Sequence, residues 1–237
     1  VYSGVLGPRF DRPDWDAYYW SGDFSSLQRR GNFTVRVELG GWTARSPRFE
    51  MDNEVLLEEC GELIYEWLRY MRCGVAHEYR AKPCHLDDGV LPNGTHTDAT
   101  GGWHCAGIWG GKYSEYDTYV LFNLLLAYDI RPDFFGSIDR DGDALPDILD
   151  EAMWGCEFLL KMQMQNGSIF HEVEKVEQTD GIIGTSDDRK ILDWMPTYNG
   201  LLAVAGLAGT SALVEGQYPE DAARYLVGAL RSFRYYG

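Results

Sequence analysis

The sequence predicts a mainly helical protein preceded by a few β-strands, and three observations predict it. Short stretches of alternating apolar and polar residues give way near Asn53 to a helical period. Three of the later helical stretches open at or near a proline, which suits a first turn because the missing N–H has no intrahelical partner there. Between the first helix and the rest lies a long segment, 72–111, dense in Gly, His, Asp and Cys, and a loop of that length in a compact domain is usually functional.

The strands are expected at Asp16 to Trp20, at Asn32 to Leu39, where Phe33, Val35 and Val37 alternate, and at Arg48 to Met51, with Gly31 and the Gly40-Gly41 pair as punctuation. Strands this short cannot enclose a core, so residues 1–50 must pack against something else or belong to a larger sandwich. From Asn53 onward Val55, Leu56, Cys60, Leu63, Ile64, Trp67, Leu68 and Met71 fall on one broad helical face. Four further helices are expected at about 114–129, 146–165, 196–214 and 219–235. Helices alternating with loops in this way are what a helical toroid would show.

Composition narrows the partners. Of 237 residues, 37 are acidic and 21 basic, giving a net charge of -16 that repels nucleic acid and anionic lipid while leaving neutral polymers and metal cations. Eight Trp and 15 Tyr supply flat faces for sugar rings or for an aromatic-rich core. No run of roughly 18 apolar residues stands out, so no membrane span is expected. The chain opens at Val1 in a strand-rich segment, so any targeting leader is expected to have been removed or to lie outside the sequence. Sequons at Asn32, Asn93 and Asn166 are compatible with a secreted protein.

Two groups of residues suggest metal sites. Thiolates and imidazoles from Cys73, Cys84, His85 and His104 suit tetrahedral zinc, with His96 as an alternative fourth ligand; a Cys73–Cys84 disulfide is the competing reading. The run from Asp139 to Asp150 reads as a calcium loop with oxygens from Asp139, Asp141, Asp143, Asp147 and Asp150 and the carbonyl of Leu145, although Ala144 stands where such loops carry glycine and Asp150 is shorter than the usual glutamate. Its alternative is a solvated acidic turn that charges the start of the next helix.

Several segments, in order along the chain, resemble glycoside hydrolase family 9. Asp23-Phe24-Ser25-Ser26-Leu27 with Gly31-Asn32-Phe33, and then Pro47-Arg48-Phe49, resemble the end of the immunoglobulin-like domain that precedes many of its catalytic domains. Met71-Arg72-Cys73-Gly74, Cys84-His85-Leu86-Asp87-Asp88, the stretch from Pro146 to Ala152 with Trp154-Gly155 and Leu159-Leu160-Lys161-Met162, and Gly184-Thr185 with Asp187-Asp188-Arg189 are similar to further landmarks. Asp98 to Tyr113 resembles the active-site run G-G-W-x-D-A-G-D-x-x-K-Y, but Cys105 and Ile108 stand at the positions of the two aspartates that hold and deprotonate water.

The resemblance implies a partial (α/α)6 toroid over residues 51–237, behind the C-terminal part of an immunoglobulin-like domain in residues 1–50. It also implies inverting hydrolysis of β-1,4-linked glucan, with structural zinc at the Cys and His set, and a catalytic glutamate that would lie beyond Gly237. Isoleucine cannot act as a base, so hydrolysis is expected to be impaired in this chain. The alternative is a catalytically silent glycan-binding or structural subunit on the same fold. Replacement bases are sought at Asp98, Glu115 and Asp117, and sugar-stacking rings at Trp103, Trp109, Tyr113 and Tyr116. The expected partners are a polysaccharide or oligosaccharide and, because part of a toroid exposes the inner faces of its helices, the remainder of the same polypeptide or another subunit.

Overall fold

The computed structural model describes residues 1–78, 80–107, 110–175, 179–192 and 196–237, and these form two compact units, Val1–Leu63 and Ile64–Gly237. The first unit holds β1 (Phe10–Arg12), β2 (Ala17–Tyr19), β3 (Gly31–Phe33), β4 (Arg36–Leu39), β5 (Trp42–Arg45), β6 (Phe49–Met51) and the first half of α1 (Val55–Met71). Its strands pair as three separate antiparallel ribbons, β1 with β2, β3 with β6 and β4 with β5.

The β4–β5 hairpin turns on Gly40 and Gly41, whose φ values of 56° and 85° meet the demand of the two-residue turns that match strand twist. The single strand expected over 32–39 is broken at Val35, whose N–H and C=O are both taken by Ser46. Phe33 and Phe24 pack around Phe49 with ring centroids 6.4 and 6.3 Å apart, yet no described residue of this unit is fully buried. Two-stranded ribbons bury too little to form a core alone.

In α1 the buried residues are Tyr65, Leu68 and Met71, while Leu56, Leu63, Ile64 and Trp67 are exposed. The broad apolar face expected here is therefore only partly inward. Burial at three-residue spacing, continued by contacts of Arg72 with Asp150 and Glu151, turns Ile64 and Trp67 outward.

The second unit carries β7 (Lys112–Tyr113), α2 (Ser114–Ile130), α3 (Pro132–Phe135), α4 (Asp147–Lys161), β8 (Glu172–Val173), β9 (Ile191–Leu192), α5 (Thr197–Val214) and α6 (Pro219–Tyr236). The core lies among α2, α4, α5 and α6, around Leu121, Phe158, Leu159, Leu207 and Tyr225. Close approach of α2 and α5 depends on Gly206, where an added Cβ would stand 2.5 Å from Leu121. Helix α4 ends at Lys161, four residues short of expectation, because the chain turns back: Met164 N–H donates to the Ser168 carbonyl and Gly167 adopts a φ of 94°.

By length and composition α5 alone among the described helices could cross a membrane, where the sequence led to the expectation of no span; its inward side, Ala203, Gly206, Leu207 and Thr210, is buried in the core. Helix α2 is apolar on two sides. Leu121 and Leu124 face the core, while Tyr116, Tyr119, Phe122, Leu126 and Ile130 form an exposed stripe.

Candidate functional site

Strands β7, β8 and β9 form a small antiparallel sheet, and a parallel bridge from Val90 to Lys190 ties the 84–111 loops to it. This brings together segments nearly a hundred residues apart. Cys73, Cys84, His85 and His104 converge on one point, each offering a ligand atom within 4.8 Å of the others. Cys73 Sγ lies 3.8 Å from His85 Nδ1 and 4.0 Å from Cys84 Sγ, and Cys84 Sγ lies 3.4 Å from His104 Nε2.

These separations approach the edge of a tetrahedron built on zinc–sulfur bonds of about 2.3 Å, roughly 3.8 Å. They also rule against the disulfide reading, since the sulfurs are free thiols far beyond the ~2.05 Å of an S–S bond. His104 Nδ1 meets the Gly110 carbonyl at 2.9 Å, which fixes the tautomer that leaves Nε2 open to a metal. His85 Nε2, by contrast, is buried with no hydrogen-bond partner.

Burial opposes ionisation of Cys73, but hydrogen bonding from Cys84, the Lys112 charge and the two imidazoles outweigh it and hold its thiol well below the ordinary range. Hydrogen bonding to Cys73, burial and the Cys73 charge push Cys84 the other way. Two adjacent thiols sharing one proton behave so. His96 takes no part: its Nε2 faces the Asp87 carbonyl at 3.0 Å.

In the acidic loop, Asp139, Asp141 and Asp147 come together, while Asp143 and Asp150 stand outside that group. Asp143 accepts from Tyr218 and from the Leu145 N–H, while Asp150 binds Arg72 at 3.2 Å. Ala144 holds a left-handed φ of 71° where calcium loops carry glycine. Asp147 Oδ2 is buried, lacks a hydrogen-bond partner and sits 3.7 Å from Arg140 Nε. A divalent cation would satisfy that oxygen.

The segment resembling an active site divides into core and surface. Trp103 is only 3% exposed and its indole donates to Glu151 at 2.6 Å, so it is a core residue with no face free for a sugar. Ile108 and Trp109 lie outside the described residues. Cys105 is exposed, and its partial burial raises its thiol above the ordinary value. Tyr113 and Tyr116 pack 5.3 Å apart, with Tyr116 exposed.

Asp98 is held by Thr100 and, at 3.0 Å, by Lys161; although burial would raise its pKa, those hydrogen bonds lower it, which suits a loop-ordering acceptor better than a base. Glu115 faces His171 Nε2 at 3.4 Å, and Glu172 lies 3.6 Å from His171 Nδ1. Asp117 is buried with Oδ2 unpartnered, and burial, against the Lys112 charge and a backbone hydrogen bond from Trp103, drives its pKa well up.

His171 and Glu172 are absent from the sequence reading, because a single histidine in a loop has no spacing that marks it. Arg189 and Asp88 are recognised there only as landmarks. Arg189 Nε donates to Asp88 Oδ1 at 2.7 Å, and Lys112 Nζ reaches Asp88 Oδ2 at 2.8 Å, with all three side chains fully buried.

Known proteins resemble this chain in sequence and in fold. The chain is 31% identical over 224 residues to a cellodextrinase of Butyrivibrio fibrisolvens, covering 86% of this chain and 38% of that protein. It is 29% identical over 190 residues to Endoglucanase D of Acetivibrio thermocellus, covering 73% of this chain and 29% of that one. Against the crystal structure of a metagenome-derived glycoside hydrolase family 9 endoglucanase, the TM-score is 0.76 at 27% identity, over 99% of this chain and 45% of the other.

The chain thus spans less than half the length of these relatives. Its helices form part of an (α/α)6 toroid, preceded by β-strands, as the resemblance implied. The model of Glycosyl hydrolase family 9 matches residues 63–236, nearly the whole helical unit, and the chain belongs to that family.

Proposed function

We propose that this protein handles β-1,4-linked glucan or a related glycan, and that the inverting hydrolysis typical of its family is impaired in this chain. The observation that carries the reading is the replacement at the water-holding positions, where Cys105 and Ile108 stand. An inverting base must be a carboxylate placed roughly 6.5–9.5 Å from the acid, with room for water between. Cys105 offers a thiol whose pKa is raised, which disfavours the thiolate at neutral pH. Asp98 is engaged by Lys161, Glu115 by His171, and Asp117 is buried with its pKa raised, away from solvent.

Tyr113 and Tyr116 remain as a sugar-facing pair, and family membership supports a glycan as the ligand. The second reading, a glycan-binding or structural subunit without turnover, is favoured by the same replacement. Zinc on Cys73, Cys84, His85 and His104 would supply a structural staple, joining the end of α1 to two loops. Calcium at Asp139, Asp141 and Asp147 would pin the entry to α4. Secretion fits the sequons at Asn32, Asn93 and Asn166.

The test is an assay on cellulose, mixed-linkage glucan and chitosan oligomers with calorimetric binding to cello-oligosaccharides alongside. Binding without turnover is the expected result. Inverting turnover above background would overturn the impairment, and absence of both turnover and binding would leave the structural reading.

A further inference from the structure

A single guanidinium braces the metal-ligand tetrad from behind. Arg189 is fully buried, and each of its contacts leads to a ligand or to a group next to one. Nη2 lies 3.6 Å from Cys73 Sγ, Nη1 donates to the Gly110 carbonyl at 3.3 Å, and Nε and Nη2 grip the two oxygens of Asp88. That Gly110 carbonyl is also the acceptor for His104 Nδ1. Asp88 follows His85 by three residues and also receives Lys112, whose ammonium is filled by Asp88, Ala99 and Gly101.

We propose that Arg189 is the positioning residue of the tetrad: it orients the Cys73 sulfur directly and the His104 ring through the shared Gly110 carbonyl, for a borderline-soft divalent cation held tetrahedrally. The inference rests on the reading that the tetrad binds metal. Its chemistry depends on the arginine fork. Planar, fixed N–H donors serve a carboxylate, a carbonyl and a sulfur at once, whereas an ammonium is a point charge with three donors. One carboxylate also faces two buried cations here, so a ligated Cys73 thiolate is the nearest further anion for the guanidinium to meet. Residues that orient metal ligands from outside typically change affinity 10- to 100-fold when altered.

The probe is Co2+, titrated into chelator-treated protein and followed by its thiolate charge-transfer and tetrahedral d–d bands, with competing Zn2+ to give affinity. The wild type is expected to show both bands, and Cys84→Ser to lose them. Arg189→Lys is expected to bind about 10- to 100-fold more weakly, with shifted d–d bands, while its circular dichroism stays native. A folded Arg189→Lys protein with unchanged affinity and bands overturns the positioning role and leaves the metal reading intact. A wild type without the bands removes the metal reading and this inference with it. Should Arg189→Lys not fold, NMR of the wild-type guanidinium N–H groups decides: a shift on metal removal supports the role, and unchanged resonances overturn it.

Discussion

Trp103 Nε1 donates to Glu151 Oε1 at 2.6 Å, joining the loop that resembles an active site to the first turns of α4 in the dry interior. Glu151 also receives Arg72, whose Nε and Nη2 approach both of its oxygens. Removing the indole donor leaves a buried carboxylate one hydrogen bond short. Trp103→Phe is expected to lower stability by about 2–4 kcal/mol, combining the lost charged hydrogen bond with lost ring volume, as read by urea unfolding.

Packing around the same indole predicts a second effect. Gly155 lies in α4 against the Trp103 ring, and an added Cβ would stand 2.5 Å from it. Alanine would gain up to about 1 kcal/mol of helix propensity, but overpacking of a fixed ring costs about 1–3 kcal/mol. Gly155→Ala should therefore destabilise on balance, and the double variant with Trp103→Phe should recover part of the loss if the clash is the cause.

Asp117 gives a pH dependence with a definite sign. Burial raises its carboxyl pKa well above the ordinary value, so in the folded state it keeps its proton over a range where the unfolded chain has lost it. Stability from this group is fully present below the unfolded pKa of about 3.9 and declines as pH rises toward the folded pKa, by about 1.4 kcal/mol per pH unit in that window. Asp117→Asn removes the titration. Its melting temperature relative to wild type should be higher at pH 7 than at pH 4, and a constant difference across that range would show that Asp117 is ionised in the fold.

The acidic loop makes a prediction about calcium. Calcium at millimolar concentration should raise the melting temperature by several degrees, chelator should reverse this, and Asp147→Asn should abolish it. No shift in the wild type would leave the loop as an acidic turn at the start of α4.

The helices are legible in the sequence where a periodic face coincides with a proline start, as at Pro219 and near Asp147, and at Thr197 where an apolar run follows a proline. In α1 the period is present but misleads about orientation, because Arg72 and its carboxylate partners help fix which side turns inward. Strands β7, β8 and β9 are two residues each, too short to show alternation, and only their pairing reveals them. The tetrad is readable because thiols and imidazoles have few other reasons to gather. Arg189 is not, since an arginine after two aspartates in a polar loop looks like surface charge until the fold buries it.

Asp88, Lys112 and Arg189 reach the interior from three distant stretches of chain, and none is solvated there. Releasing any one of them strands an ion in a dry medium, at a cost of several kcal/mol. Piecemeal opening of a single loop is thereby suppressed. Amide protons of residues 88–90, 110–113 and 189–191 should consequently exchange together, at the rate set by wholesale unfolding of the helical unit.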